Sequence, residues 1–91
     1  MQHNGKRIIV DFMSLPLGIG GAAQERESSY IVIINSDIPP EKQQFAIGHE
    51  LAHIFLNHHS SGRPIAEIEK EADERAMEFY SLYSGELKES G

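Results

Sequence analysis

The chain of 91 residues contains no cysteine. Disulfides, a thiol nucleophile and a cysteine-ligated structural zinc are therefore excluded, and any bound metal must be held by histidine and carboxylate. Long apolar runs are also missing. Met1-Gln2-His3-Asn4-Gly5-Lys6-Arg7 leads into Ile8-Ile9-Val10 and then Asp11, which is too short a run for a signal peptide, and nothing approaches a membrane span. The expectation is a chain without a signal peptide and without a membrane partner. Positive charge is scarce: the net charge is −6, and residues 64–91 carry eight acids against three bases, whereas residues 1–63 carry six against five. Direct binding to nucleic acid is not expected from such a balance, and the acidic tail reads as a solvated helix face. Ninety-one residues form one small domain around a single core, with no room for a regulatory domain.

What is present is concentrated in His49-Glu50-Leu51-Ala52-His53. In an α-helix, positions i and i+4 lie about 40° apart on one face, so the two imidazoles can grip one metal ion with Glu50 beside them. The flanking Phe45-Ala46-Ile47-Gly48 and Ile54-Phe55-Leu56 are apolar enough to bury this helix. A buried imidazole or carboxylate needs a partner, which a metal supplies; the competing reading is a pair of satisfied core histidines.

Residues 7–13 and 28–34 read as strands, the second rich in β-branched residues, with a short strand near 22–24 between them and antiparallel pairing as the economical arrangement. Asn35-Ser36-Asp37 followed by Pro39-Pro40-Glu41 carries helix-start signals, and the motif helix is predicted over about 39–58. After the polar break His58-His59-Ser60-Ser61-Gly62-Arg63, Pro64 restarts a helix predicted to reach about Tyr83, with Gly85 as its cap. The predicted class is α+β: a small antiparallel sheet of two or three strands packed on a two-helix hairpin. Residues 1–35 form its β-rich part, residues 36–84 the hairpin with the metal site, and residues 85–91 a frayed tail.

At 100° per residue, Ile65, Ile68, Ala72, Ala76, Phe79 and Tyr83 fall within about 40° of one axis, and Glu69 lies inside that stripe. Glu71 points about 120° away, and Asp73 sits at the stripe's edge. His53 and Glu69 are each roughly 7.5 Å from the end of the hairpin, so they meet at one level. Two histidines and a glutamate with an open fourth position form a catalytic zinc arrangement, and Asp73 can accept the outer N–H of a liganding imidazole. His59 is the rival third ligand by its spacing from the motif, yet Leu56 stands where a glycine would break the helix; an inward Glu69 could also be an error of helix phase.

Ile33-Ile34-Asn35, Phe45-Ala46-Ile47-Gly48-His49-Glu50-Leu51-Ala52-His53 and Glu69-Lys70-Glu71-Ala72-Asp73 together resemble the ImmA/IrrE-type metallopeptidases over about residues 28–80. The resemblance implies a minimal gluzincin-like, zincin-type fold that is cytoplasmic and often encoded on phages and mobile elements. It selects Glu69 over Glu71 as the glutamate ligand and implies a regulatory protease that cleaves a protein partner such as a helix-turn-helix repressor. The chain departs from the family pattern at Arg75, where an aromatic is usual, and in lacking the Leu-Leu-x-Pro segment that follows.

The expected chemistry is a hydrolase: Zn²⁺ on His49, His53 and Glu69 polarises a water and the scissile carbonyl, and Glu50 carries the proton to the leaving amine. Tyr80, Tyr83, His58 and His59 are candidate donors to the oxyanion, with core packing as the competing role of either tyrosine. An extended peptide or protein substrate is expected to add to a free edge of the strand Tyr30 to Ile34. The alternative is a zinc-holding module that engages a repressor or toxin partner without cutting it. The sequence leaves the oligomeric state open.

Overall fold

A computed structural model describes residues 1–90. Four strands and two long helices follow one another: β1 Gln2–His3, β2 Lys6–Met13, β3 Gly21–Glu25, β4 Ser29–Asn35, α1 Pro40–Phe55 and α2 Ile65–Ser90, with a 3-10 turn His58–Ser60 between the helices. The α+β class holds, but the sheet is larger than predicted and mixed, in the order β1-β2-β4-β3. β3 pairs antiparallel with β4, whereas β2 runs parallel to β4, with Ile8 opposite Tyr30 and Val10 opposite Val32. The parallel pair arises because the segment 14–20 is no tight turn. It is long enough to step over the end of β4, about two strand spacings or 9–10 Å, and deliver β3 to the far side.

β1 was not foreseen, although its signal is local. Asn4 and Gly5 both have positive φ, 53° and 74°, which is the turn that an Asn-Gly pair favours between antiparallel strands. The near-continuous apolar run of β4 suits an interior strand. Tyr30 to Ile34 therefore offers no free edge to a substrate, and the terminal strand on that side is β3.

One face of the sheet is covered by α1, and α2 packs along α1. Val32 and Ile34 of β4, Leu51, Ala52 and Ile54 of α1, and Ala72 and Ala76 of α2 are at most 1% exposed. Each large apolar side chain among them stabilises the fold by about 1.5–3 kcal/mol. Phe55 and Phe79 stack across the two helices with ring centroids 5.5 Å apart. At Gly48 the helices are in backbone contact: a Cβ there would lie 1.8 Å from the carbonyl oxygen of Ala76. On α2 the predicted stripe is correct at Ala72, Ala76 and Phe79, but Ile65, at the helix start, is exposed.

The helix ends also differ from expectation. Pro39 precedes α1 with no side-chain cap; Asp37 instead contacts the Ser14 hydroxyl, and Asn35 Oδ1 accepts the Asp37 N–H. α1 stops at Phe55, three residues early, because Asn57 takes the left-handed conformation (φ 56°), which the short polar side chain of asparagine tolerates. α2 continues through Gly85 to Ser90, so that glycine does not cap it, and of the predicted frayed tail only Gly91 lies outside the described residues.

Candidate metal centre

The single-turn spacing of α1 stacks His49 over His53, and their Nε2 atoms lie 3.0 Å apart. Glu69, from the first half of α2, reaches both: its carboxylate oxygens are 3.0 Å from His49 Nε2 and 3.2 Å from His53 Nε2. These three side chains are the group able to hold a metal ion among the described residues. Their donor set suits a cation of the zinc class. At zinc–ligand distances near 2.0–2.1 Å, tetrahedral ligand atoms stand about 3.3 Å apart, so these three need open by only a few tenths of an ångström. Burial holds His53 below the ordinary histidine range, opposed by the nearby Glu69, and so favours the neutral imidazole that a metal requires.

The close contact at Gly48 makes this meeting possible, since it draws α2 against the face of α1 that carries the histidines. Glu50 turns instead towards β3. It is 8% exposed and lies below Gly21, where a Cβ would stand 3.5 Å from Glu50 Cγ and 3.0 Å from the Ile33 carbonyl oxygen. Burial raises the pKa of Glu50, His49 opposes that shift, and the neighbouring Glu69 adds to it. A carboxyl group poised in this way can both take up and return a proton. Glu50, His49, His53 and Glu69 line an open cleft of about 360 Å³ with Gly20, Gly21 and Phe45 at its wall. Asn35 fixes that wall: its amide donates to the Ile19 carbonyl at 2.8 Å, and its oxygen accepts the Leu15 N–H at 3.3 Å, tying the segment before β3 to the end of β4.

Asp73 sits one turn beyond Glu69 with Oδ1 2.8 Å from His49 Nδ1, off the line of a hydrogen bond. Glu71, on the other side of α2, binds His58 and Arg63 rather than the cluster. His59 stays outside as well; its ring centroid is 6.2 Å from that of His53. Neither tyrosine offered as an oxyanion donor lines the cleft: Tyr80 and Tyr83 pack against the core, and Tyr83 lines a separate hollow with Ile8 and Val10. The histidine that the motif reading underrated is His58. In the sequence it belongs to the polar break and is a candidate oxyanion donor, but the early end of α1 turns it inward, 4% exposed, with Nδ1 2.9 Å from His53 Nδ1. The sequence signal was Asn57, a residue that readily ends a helix.

A helix bearing two histidines and the glutamate beside them, paired with a second helix whose carboxylate meets both histidines, under a small sheet, defines a zincin-like domain. More particularly, the chain belongs to the M78 peptidase family's IrrE N-terminal-like domain, whose family model matches residues 6–81. No curated protein and no solved structure matches it. Family membership points to a metallopeptidase type of function. Among the described residues no helix is long and apolar enough to cross a membrane.

Proposed function

We propose that the chain is a zinc-dependent peptidase, with His49, His53 and Glu69 as metal ligands and Glu50 as the proton carrier. The observation that carries this reading is the convergence of two Nε2 atoms and a carboxylate within 3.0–3.2 Å, with a buried carboxyl group of raised pKa next to them. A zinc ion, when bound, supplies a Lewis acid that makes water acidic near neutral pH and polarises a carbonyl. Glu50 accepts the proton of the attacking water on a carboxylate oxygen and delivers it to the amine nitrogen as the peptide C–N bond breaks. Its raised pKa suits both transfers, and the cover of Gly21 keeps bulk water from one side of it.

The substrate in this reading is an extended peptide lying antiparallel to β3, the terminal strand beside the cleft. Because β3 runs from Gly21 to Glu25, the part of the peptide beyond the scissile bond would lie at Gly20 and further back. There an apolar hollow of about 660 Å³, with Leu17, Ile19, Ile38 and Phe45 in its walls, adjoins the metal cleft and suits a large apolar side chain. So little enclosed surface discriminates poorly among short peptides, which supports a regulatory protease that docks a folded protein, such as a helix-turn-helix repressor. The test is Glu50→Gln, assayed with zinc content measured on the same sample. Peptide cleavage lost by at least about 100-fold with zinc retained supports catalysis; full biological function in that variant would instead favour the zinc-holding binding module.

A further inference from the structure

Behind His53 lies a second row of polar side chains that the reaction does not use. His58 is buried, with Nδ1 2.9 Å from His53 Nδ1 and Nε2 2.6 Å from Glu71 Oε1. Arg63 Nη1 donates to the same Glu71 oxygen at 3.0 Å. A guanidinium can only donate, so this oxygen accepts from Arg63, and as a carboxylate oxygen it accepts from His58 on its other side.

That acceptor fixes each proton in turn. His58 carries a hydrogen on Nε2 to donate to Glu71, and with a single hydrogen on the ring its Nδ1 presents a lone pair. His53 must then donate from Nδ1, and its own lone pair is left on Nε2, the atom that faces His49 and Glu69. We infer that His58, anchored by Glu71 and Arg63, is a positioning residue that locks the ring and tautomer of His53 so that its Nε2 lone pair points at the metal. The inference rests on the reading of His49, His53 and Glu69 as ligands. Outer partners of this kind orient the liganding imidazole and raise its basicity. The anchoring residues come from separate elements: the turn after α1 supplies His58, the loop before α2 supplies Arg63, and α2 supplies Glu71. Metal affinity is thereby linked to the local fold of the hairpin's bend.

Two measurements test this. In the zinc-loaded protein, long-range ¹H–¹⁵N spectra should place hydrogen on Nδ1 of His53 and on Nε2 of His58, with His58 Nδ1 bare; a hydrogen on His58 Nδ1 overturns the inference without any variant having to fold. Zinc affinity is then measured by chelator competition for His58→Leu, which fills the space without an acceptor, and for His58→Asn, whose amide oxygen can take the place of Nδ1. The leucine variant should bind zinc about 10–100-fold more weakly, and asparagine should restore most of that loss. Unchanged affinity in His58→Leu, or no recovery in His58→Asn, overturns the role of His58 alone. Failure of the unaltered protein to bind zinc overturns the metal centre and the inference together.

Discussion

The two histidines of the cluster share one helix face and one carboxylate, yet their outer sides are built differently. His49 presents Nδ1 to Asp73, a side chain 58% exposed, at 2.8 Å but off the hydrogen-bond line. His53 presents Nδ1 to a buried His58 that is itself held at 2.6 Å by Glu71. A solvated, poorly aligned carboxylate fixes an imidazole weakly, because water competes for the carboxylate and its side chain keeps its rotational freedom. A buried and aligned acceptor has no such competition. The comparison teaches that the His53 imidazole is set by the fold on its outer side while that of His49 is held less firmly at the mouth of the cleft.

Both flanks depend on the approach of the helices at Gly48, so the largest effect breaks the comparison altogether. Gly48→Ala places a methyl group 1.8 Å from the Ala76 carbonyl oxygen. Forcing the helices apart should cost about 3 kcal/mol or more, seen as a lowered denaturant midpoint together with loss of zinc binding. Next in size, Glu69→Ala removes the group shared by both flanks and should weaken zinc binding by more than about 100-fold, beyond the range of an outer partner. Retained affinity there would show that the ion sits elsewhere. Asp73→Asn sharpens the contrast: titrated beside His58→Leu, it should cost less than about tenfold, at the low end for an outer partner. An Asp73 effect equal to or larger than that of His58 would reverse the ranking of the two flanks.

The smallest effect concerns Glu50, which belongs to neither flank. Burial raises its folded pKa, so ionisation weakens the metal-free fold. This penalty is absent below the unfolded carboxylate value, grows as pH rises from there to the raised folded value, and is constant above it. Metal-free Glu50→Gln should therefore melt higher than the metal-free unaltered protein at pH 7, with the gap closing at pH 4. A gap that widens on acidification would mean that burial does not dominate at Glu50.

Much of this arrangement is legible in the sequence because it follows helix periodicity. The i, i+4 spacing fixes His49 against His53, and the stripe through Ala72, Ala76 and Phe79 fixes the phase that turns Glu69 and Asp73 towards them. What escaped depends on single backbone conformations. Asn57 in the left-handed region ends α1 early and carries His58 inward, and an i, i+4 rule contains no information on where a helix stops. The parallel pairing of β2 with β4 escaped for a related reason: it is decided by how far the segment 14–20 travels, and residue alternation within a strand does not record its neighbour. Gly48 stood in plain view inside the motif, but its role needs the position of a carbonyl on another helix.

The central claim is that two imidazoles of α1 and one carboxylate of α2 form a single metal site with His58 directly behind it. Anomalous diffraction at the zinc edge from crystals of the zinc-loaded protein tests it most directly. The account predicts one peak about 2.0–2.2 Å from His49 Nε2, His53 Nε2 and a Glu69 oxygen, with His58 outside the coordination shell. A peak ligated by His58 or His59, or an ion that leaves Glu69 uncoordinated, would contradict it.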